Sequence, residues 1–285
     1  MKFRKILAAM LTMALLAGCG DNTDTAEIEA LLAQAKTTMA TVESMSAEMT
    51  MEMDMGMNGE VIETTTLARI RSQQDPLKMA MEMSMVMSDG TAVDQMQMYA
   101  VEEDGHLHTY MSTADIWYAE TLEMDELSQY NADENMDLYL DNIADFKSAG
   151  KEDINGIQTT KISGIITGDA MEEAIAGSGL TASAQSMGIS EEMMASMYEE
   201  LGDLPVSLWI DAEGYVLKYE LNMTEMMQKI MDESLKAMGV QDAGLQMKIE
   251  KTSIAMVCSD FNAVGEIIIP EAALNVPVGE HVHVE

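Results

Sequence analysis

The sequence predicts an α+β fold, a large antiparallel sheet with helices packed on one face. Three observations carry that prediction. Methionine recurs on every second position in SAEMTMEMDMGMNG (46–59) and again in KMAMEMSMVMS (78–88). Turn signals punctuate the strand-like runs at Asn58-Gly59, Asp89-Gly90 and Asp104-Gly105. Segments at 25–45 and 224–239 switch to helical spacing. A period of two puts all the methionines of a run on one side of a strand, whereas a helix would scatter them around its circumference.

The elements follow in order. Ile28, Leu31, Leu32, Ala35, Met39 and Val42 describe an amphipathic helix, with Thr25 as its candidate N-cap. The first Met strand turns at Asn58-Gly59, a strong hairpin signal. VIETTTLARIR (61–71) returns and the second Met strand follows. AVDQMQMYAVEE, HLHTYMST and DIWYAET complete a meander of about six strands. Leu122 to Lys147 reads as helical, interrupted at NADEN. Residues 154–167 read as a strand pair or one long strand. DAMEEAIAG and SEEMMASMYEEL are expected helices joined by a Gly/Ser-rich loop. PVSLWIDAEGYVLKYELNM is a hairpin. The helix 224–239 has Thr224 to cap it and Gly239 to end it. LQMKIEKTSIAMVCSDF is a long last strand. No linker composition divides the chain, so residues 26–276 read as one domain, with 277–285 as a flexible tail.

Of the 285 residues 47% are hydrophobic, enough for a sizeable core, yet only 5% are aromatic and 32 are Met. Methionine therefore supplies much of the apolar volume, and it is flexible and polarizable. The formal net charge of −35 repels phosphate backbones and excludes nucleic acid as a partner.

The first twenty residues have the layout of a secretory signal: Lys2, Arg4 and Lys5, then a short apolar run from Ile6 to Leu16, then Leu16-Ala17-Gly18-Cys19. The ending resembles a bacterial lipoprotein lipobox. That resemblance implies that residues 1–18 are removed, that Cys19 carries a diacylglycerol, and that 19–25 form a short tether. The expected location is the extracytoplasmic face of a membrane. The other cysteine, Cys258, then has no partner for an intramolecular disulfide, and its setting in IAMVCSDF reads as a small buried hydrophobe.

The order of parts resembles bacterial lipoproteins with the LolA-like fold, the group that includes LppX and LprG. The residues that carry it are LAGC, one helix, the paired strands of 45–57 and 61–71, QMQMYAVEEDGHLHTYMSTADIWYAE, the hairpin PVSLWIDAEGYVLKYEL and the closing IIIPEAAL. The resemblance implies a strongly curved antiparallel sheet, about half a barrel, with helices on its concave face and room between them for acyl chains. It implies a non-enzymatic protein that binds or carries a lipid or another hydrophobic ligand. Helix 224–239 looks like an insertion into that plan.

Three readings of the Met strands stand side by side. Core packing is the simplest. A ligand-lining surface is the second, and it would use Met49, Met51, Met53, Met55, Met79, Met81, Met83, Met85, Met96 and Met98. A Cu(I) site is the third, because thioethers select soft metals, but it needs ligands converging on one point. The four histidines form two His-X-His pairs, His106/His108 and His281/His283, each a half-site for Zn or Cu(II) if brought together. Solvent-facing positions on an edge strand and a loose tail explain them as well. No G-x-S-x-G, phosphate loop or H-E-x-x-H occurs, no cofactor is implied, and the carboxylates are too numerous for any pair to be specific. The alternatives to a ligand carrier are a structural or sensory interaction module with a filled core, and a copper or zinc buffer.

Overall fold

The computed structural model describes residues 21–57, 59–88, 90–113, 116–123, 140, 142–168, 202–237, 247–276 and 278–279. Helix α1 (Asp21–Met39) leads into β1 (Ser44–Met57), β2 (Glu60–Gln73), β3 (Lys78–Met87), β4 (Ala92–Glu103), β5 (His106–Thr113) and β6 (Ile116–Glu123). Then come β7 (Ile143–Ile154), β8 (Ile157–Ile166), β9 (Leu204–Ile210) and β10 (Val216–Asn222), helix α2 (Thr224–Ala237), β11 (Met247–Ser259), the short α3 (Glu271–Leu274) and β12 (Val278–Gly279). The strands form one open sheet in the order β12-β6-β5-β4-β3-β2-β1-β11-β10-β9-β8-β7. All neighbours are antiparallel except the two-residue β12, which runs parallel to β6 at Ala119 and Glu120. The meander of six strands is as expected, and β1 sits mid-sheet, paired along its length with both β2 and β11.

Directly opposed residues of an antiparallel pair point to the same side, so register assigns every strand residue to a face. One face carries α1 and α2. On it, Ile28, Leu32, Ala35 and Met39 of α1 pack with Val42 against Ile162, Ile166, Leu204, Val206, Leu208, Ile210 and Leu221. The helix starts before Thr25, which lies within its first turns and does not cap it. It stops at Met39, because the alternating pattern has taken over by Ser44.

The β9–β10 turn docks on α1. The Asp211 carboxylate accepts the N–H groups of Glu213 (3.0 Å) and Tyr215 (2.8 Å), which closes the turn. Thr38 donates to the Glu213 carbonyl at 2.9 Å and Gln34 to that of Ala212 at 3.1 Å. Gly214 meets α1 so closely, and at φ +91°, that only glycine fits.

Helix α2 answers how this end of the sheet is closed. β10 runs out at Asn222, opposite Ser253, while β11 continues back to Met247 against β1. The exposed edge of β11 is taken up by α2. The Thr224 hydroxyl accepts the Thr252 N–H at 3.0 Å, and the Gln228 amide oxygen accepts the Ile249 N–H at 2.6 Å. Thr224, read as a helix cap, thus spends its side chain on the neighbouring strand.

The helical reading of 122–147 is corrected at both ends. Leu122 lies in β6, and β7 begins at Ile143; residues 124–139 lie outside the described residues. The misleading spacing comes from a bulge. Asp145 adopts φ 48°, and the register slips between Ala144 and Lys147. The extra residue lets Ile143 and Phe146, three apart as on a helix, both reach the core. Residues 157–166 form a single strand, whose partner is the preceding β7 across a turn at Asn155-Gly156. The expected helices at 169–177 and 190–201 lie outside the described residues.

On the outer face the C-terminal segment crosses the sheet. Ile267 and Ile269 pack with Val264 on Ala80, Tyr99, Tyr110 and Trp117, so α3 lies opposite to α1 and α2. The rest of that face carries charge. Lys251 pairs with Glu52 at 2.6 Å and holds its carboxyl below the usual range, and Arg69 approaches Glu48 at 3.6 Å.

Candidate ligand-binding face

The helix-bearing face has two halves built from different side chains. Under α1, strands β8–β10 contribute branched aliphatics, all buried. Across β1, β3 and β4 the same face is built from methionine. Met49, Met51, Met53 and Met55 of β1, Met79, Met81 and Met83 of β3, and Met96 and Met98 of β4 are half-buried, and Met85 is 38% exposed. Among the described residues Met39 is the only fully buried methionine. Branched residues make the close-packed half, and the adaptable residue makes the half-open one.

Register shows how the Met positions sit. One row runs Met49, Ala68, Met83, Met96 across β1 to β4, and the next runs Ala47, Ile70, Met81, Met98 and on to Met111 of β5. The two Met strands are therefore not neighbours. β2 lies between them and places Ala68, Thr66 and Thr64 opposite Met49, Met51 and Met53. The rows from Met45 to Met55 carry no charged residue on β11, β1, β2, β3 or β4. Arg69, Arg71, Lys78, Lys218 and Lys251 all fall on the outer face by the same register. In a chain of net charge −35 this is a segregated, uncharged surface. Its far margin at β6 shows Ile116 and Tyr118, each 58% exposed.

Two solvent-open depressions lie on the sheet, one of about 300 Å³ over β1–β4 and one of about 270 Å³ over β1–β3 and the end of β11. Met49, Met83 and Met96 border the first, but Glu48, Arg69 and Glu82 of the outer face line both. Neither is a closed chamber between sheet and helices.

The other candidates separate. His106 and His108 lie on the outer face of β5, where His108 Nδ1 is 3.0 Å from the Thr121 hydroxyl and His106 Nδ1 is 3.1 Å from the Asp104 carbonyl. His281, His283 and Cys19 lie outside the described residues. Among the described residues no three His, Cys, Asp or Glu side chains group to hold a metal. No helix among them is long and apolar enough to cross a membrane.

Cys258 is buried on the helix face, opposite Ala47, and burial pushes its thiol up to about 12. The thiolate is the nucleophile, so alkylation by iodoacetamide at about pH 8 is expected to wait on unfolding, and denaturant should speed it by orders of magnitude. An unfolded thiol ionises near 8.5. Stability should therefore fall as pH rises from there towards the folded value, since only the unfolded chain then releases the proton.

Sequence reasoning missed one cluster. On the outer face Trp209 is 1% exposed, although it faces away from α1 and α2. Lys161 and Lys218, directly opposite it on β8 and β10, cover its ring at 4.5 and 4.2 Å. Its indole N–H donates to Glu152 at 2.7 Å. Two lysines and a tryptophan spread over 161–218 give no local sequence signal.

Comparison with known proteins gives the following. No curated protein matches the chain. Among solved structures, lipoprotein LppX of Mycobacterium tuberculosis matches at 14% identity with a TM-score of 0.47, over 85% of this chain and 99% of that one. LprF of Mycobacterium bovis matches at 11% identity and TM-score 0.45, over 87% and 98%. A DUF1329 family protein from Desulfovibrio piger matches at 10% identity and TM-score 0.24, over 82% and 91%. The family of unknown function DUF6612 matches residues 27–277, most of the chain, and the chain belongs to that family.

Proposed function

We propose that this chain is a membrane-anchored, extracytoplasmic lipoprotein that binds a lipid or another hydrophobic ligand on its methionine face, and that it is not an enzyme. The single observation that carries the reading is the half-open, uncharged Met surface, continuous with the packed core yet built differently from it. A face meant only to close on its own helices gains from branched, rotamer-restricted side chains, as under α1. A face that must fit chains of variable shape gains from methionine. The anchor would be Cys19, on the strength of LAGC and the basic and apolar segments before it. A single lipidated residue serves as the attachment, and the domain then meets its ligand outside the cytoplasm.

The test is extraction of the protein from membranes in mild detergent, followed by native mass spectrometry and analysis of bound lipids. A stoichiometric apolar molecule that survives exchange into a second detergent is expected. Its absence, together with an inner face filled by the protein's own side chains, would instead favour an interaction module with a closed core.

A further inference from the structure

The pairing of β3 with β4 has a feature that no other strand pair shares among the described residues. Met81 stands opposite Met98, and Met83 stands opposite Met96. Two consecutive inner-face methionines of one strand thus face two of the next, a two-by-two block of thioethers. Opposed Cβ atoms are about 5 Å apart and alternate residues of a strand about 6.7 Å, so the centre of the block is roughly 4 Å from each Cβ. A methionine side chain out to its sulfur, extended by a metal–sulfur bond of about 2.3 Å, spans that distance and still rises clear of the sheet. All four side chains are half-buried and reachable. A register shift follows at once, between Ser84 and Met85, and bulges re-aim the side chains beside them.

The β1 ladder lacks this arrangement. Met49, Met51 and Met53 look across at Ala68, Thr66 and Thr64 on one side. On the other they look at Met256, Ile254 and Thr252, and Met57 at the strand's end faces Met247, so the Met pairs there are isolated and far apart. The β3–β4 register therefore places four soft ligands within reach of one point, which a row of methionines on one strand does not.

We propose that Met81, Met83, Met96 and Met98 form a site for one soft monovalent cation, Cu(I) or Ag(I). Thioethers favour such ions over Zn, Mg or Ca. They carry no proton at ordinary pH, so binding releases none. A cation on neutral ligands is also favoured by the field of a chain with net charge −35. The site rests on register alone and does not depend on the lipid reading.

The test uses the full chain with ¹³C-methyl-labelled methionine, titrated with Ag(I) in chloride-free buffer by calorimetry and NMR, and with Cu(I) under anaerobic reducing conditions. One saturating equivalent is expected, with the four methyl signals shifting together. M81L/M98L keeps volume and apolarity, so the fold is retained while affinity drops about tenfold or more. M49L/M53L should bind like the wild type. Affinity should hold from about pH 7.5 down to 5.5, where a histidine site would be lost. Equal weakening by M49L/M53L, a loss at the lower pH, or the lack of a saturable equivalent in the wild type would each overturn the proposal. Both titrations are run without lipid, so their outcome stands apart from that of the lipid test.

Discussion

Trp209→Ala is expected to lower stability by about 3–5 kcal/mol, the range for removing a buried aromatic. The ring is 1% exposed and lies directly opposite Lys161 and Lys218, whose ammonium groups sit over it. Its loss opens a cavity on the face turned away from α1 and α2, so water enters and the lysine stems lose their platform. Trp209→Phe separates the contributions. It keeps most of the ring and removes only the N–H given to Glu152, so its cost should be clearly smaller. That hydrogen bond is the first cause holding the Glu152 carboxyl below its usual range, with Lys161 and Lys218 adding to it. A carboxyl lowered by folding stabilises above its unfolded value, near 4.3, and loses that contribution as pH falls through the folded one. The wild type should therefore lose more stability on acidification than Trp209→Phe does. Urea unfolding at about pH 7 and pH 4 measures both effects. Equal midpoints for wild type and Trp209→Ala would remove the cluster from the account.

The second large effect is expected at Gly214. An added Cβ would stand 2.7 Å from the Thr38 hydroxyl and 2.9 Å from Gln34 Cγ, at a φ of +91°. The backbone conformation alone costs a non-glycine residue about 1–3 kcal/mol, and the collision adds to it. Thr38 and Gln34 also make the two hydrogen bonds that fix the β9–β10 turn to α1. Gly214→Ala should thus loosen α1 as well as lower the unfolding midpoint. Hydrogen exchange should show lost protection at Leu32, Ala35 and Met39 while β8 and β9 stay protected. An unchanged midpoint would mean that the turn and helix do not act as one unit.

The sequence carried the strands better than their neighbours. Alternation in 46–57 and 78–88 was enough to place each Met run on one face, because a period of two admits no other reading. It could not show that β2 lies between them, nor that Ser46 pairs with Ser259 across the chain. Those contacts depend on the order of the sheet, and nothing local encodes it. The bulge at Asp145 had the opposite effect: it gave strand residues Ile143 and Phe146 a helical spacing. Thr224 reads as the cap of helix 224–239, but its hydroxyl bonds to the backbone of Thr252 on β11 and not to its own helix. The candidate face was legible as a list of methionines. Its division into a closed aliphatic half and a half-open Met half appeared only with the register and burial in hand.

The central claim is that the uncharged face holds an apolar ligand. Its most direct test places charge there without disturbing the core. Met49 and Met53 are half-buried, so lysines at both positions can carry their ammonium groups to water and leave the fold intact. The measurement is an equilibrium titration of a fluorescent acyl-chain probe into the wild type and M49K/M53K, with the unfolding midpoint recorded for each. A dissociation constant raised about tenfold or more at an unchanged midpoint is the predicted result. Equal affinity in the two proteins, or no saturable binding to the wild type, would contradict the claim.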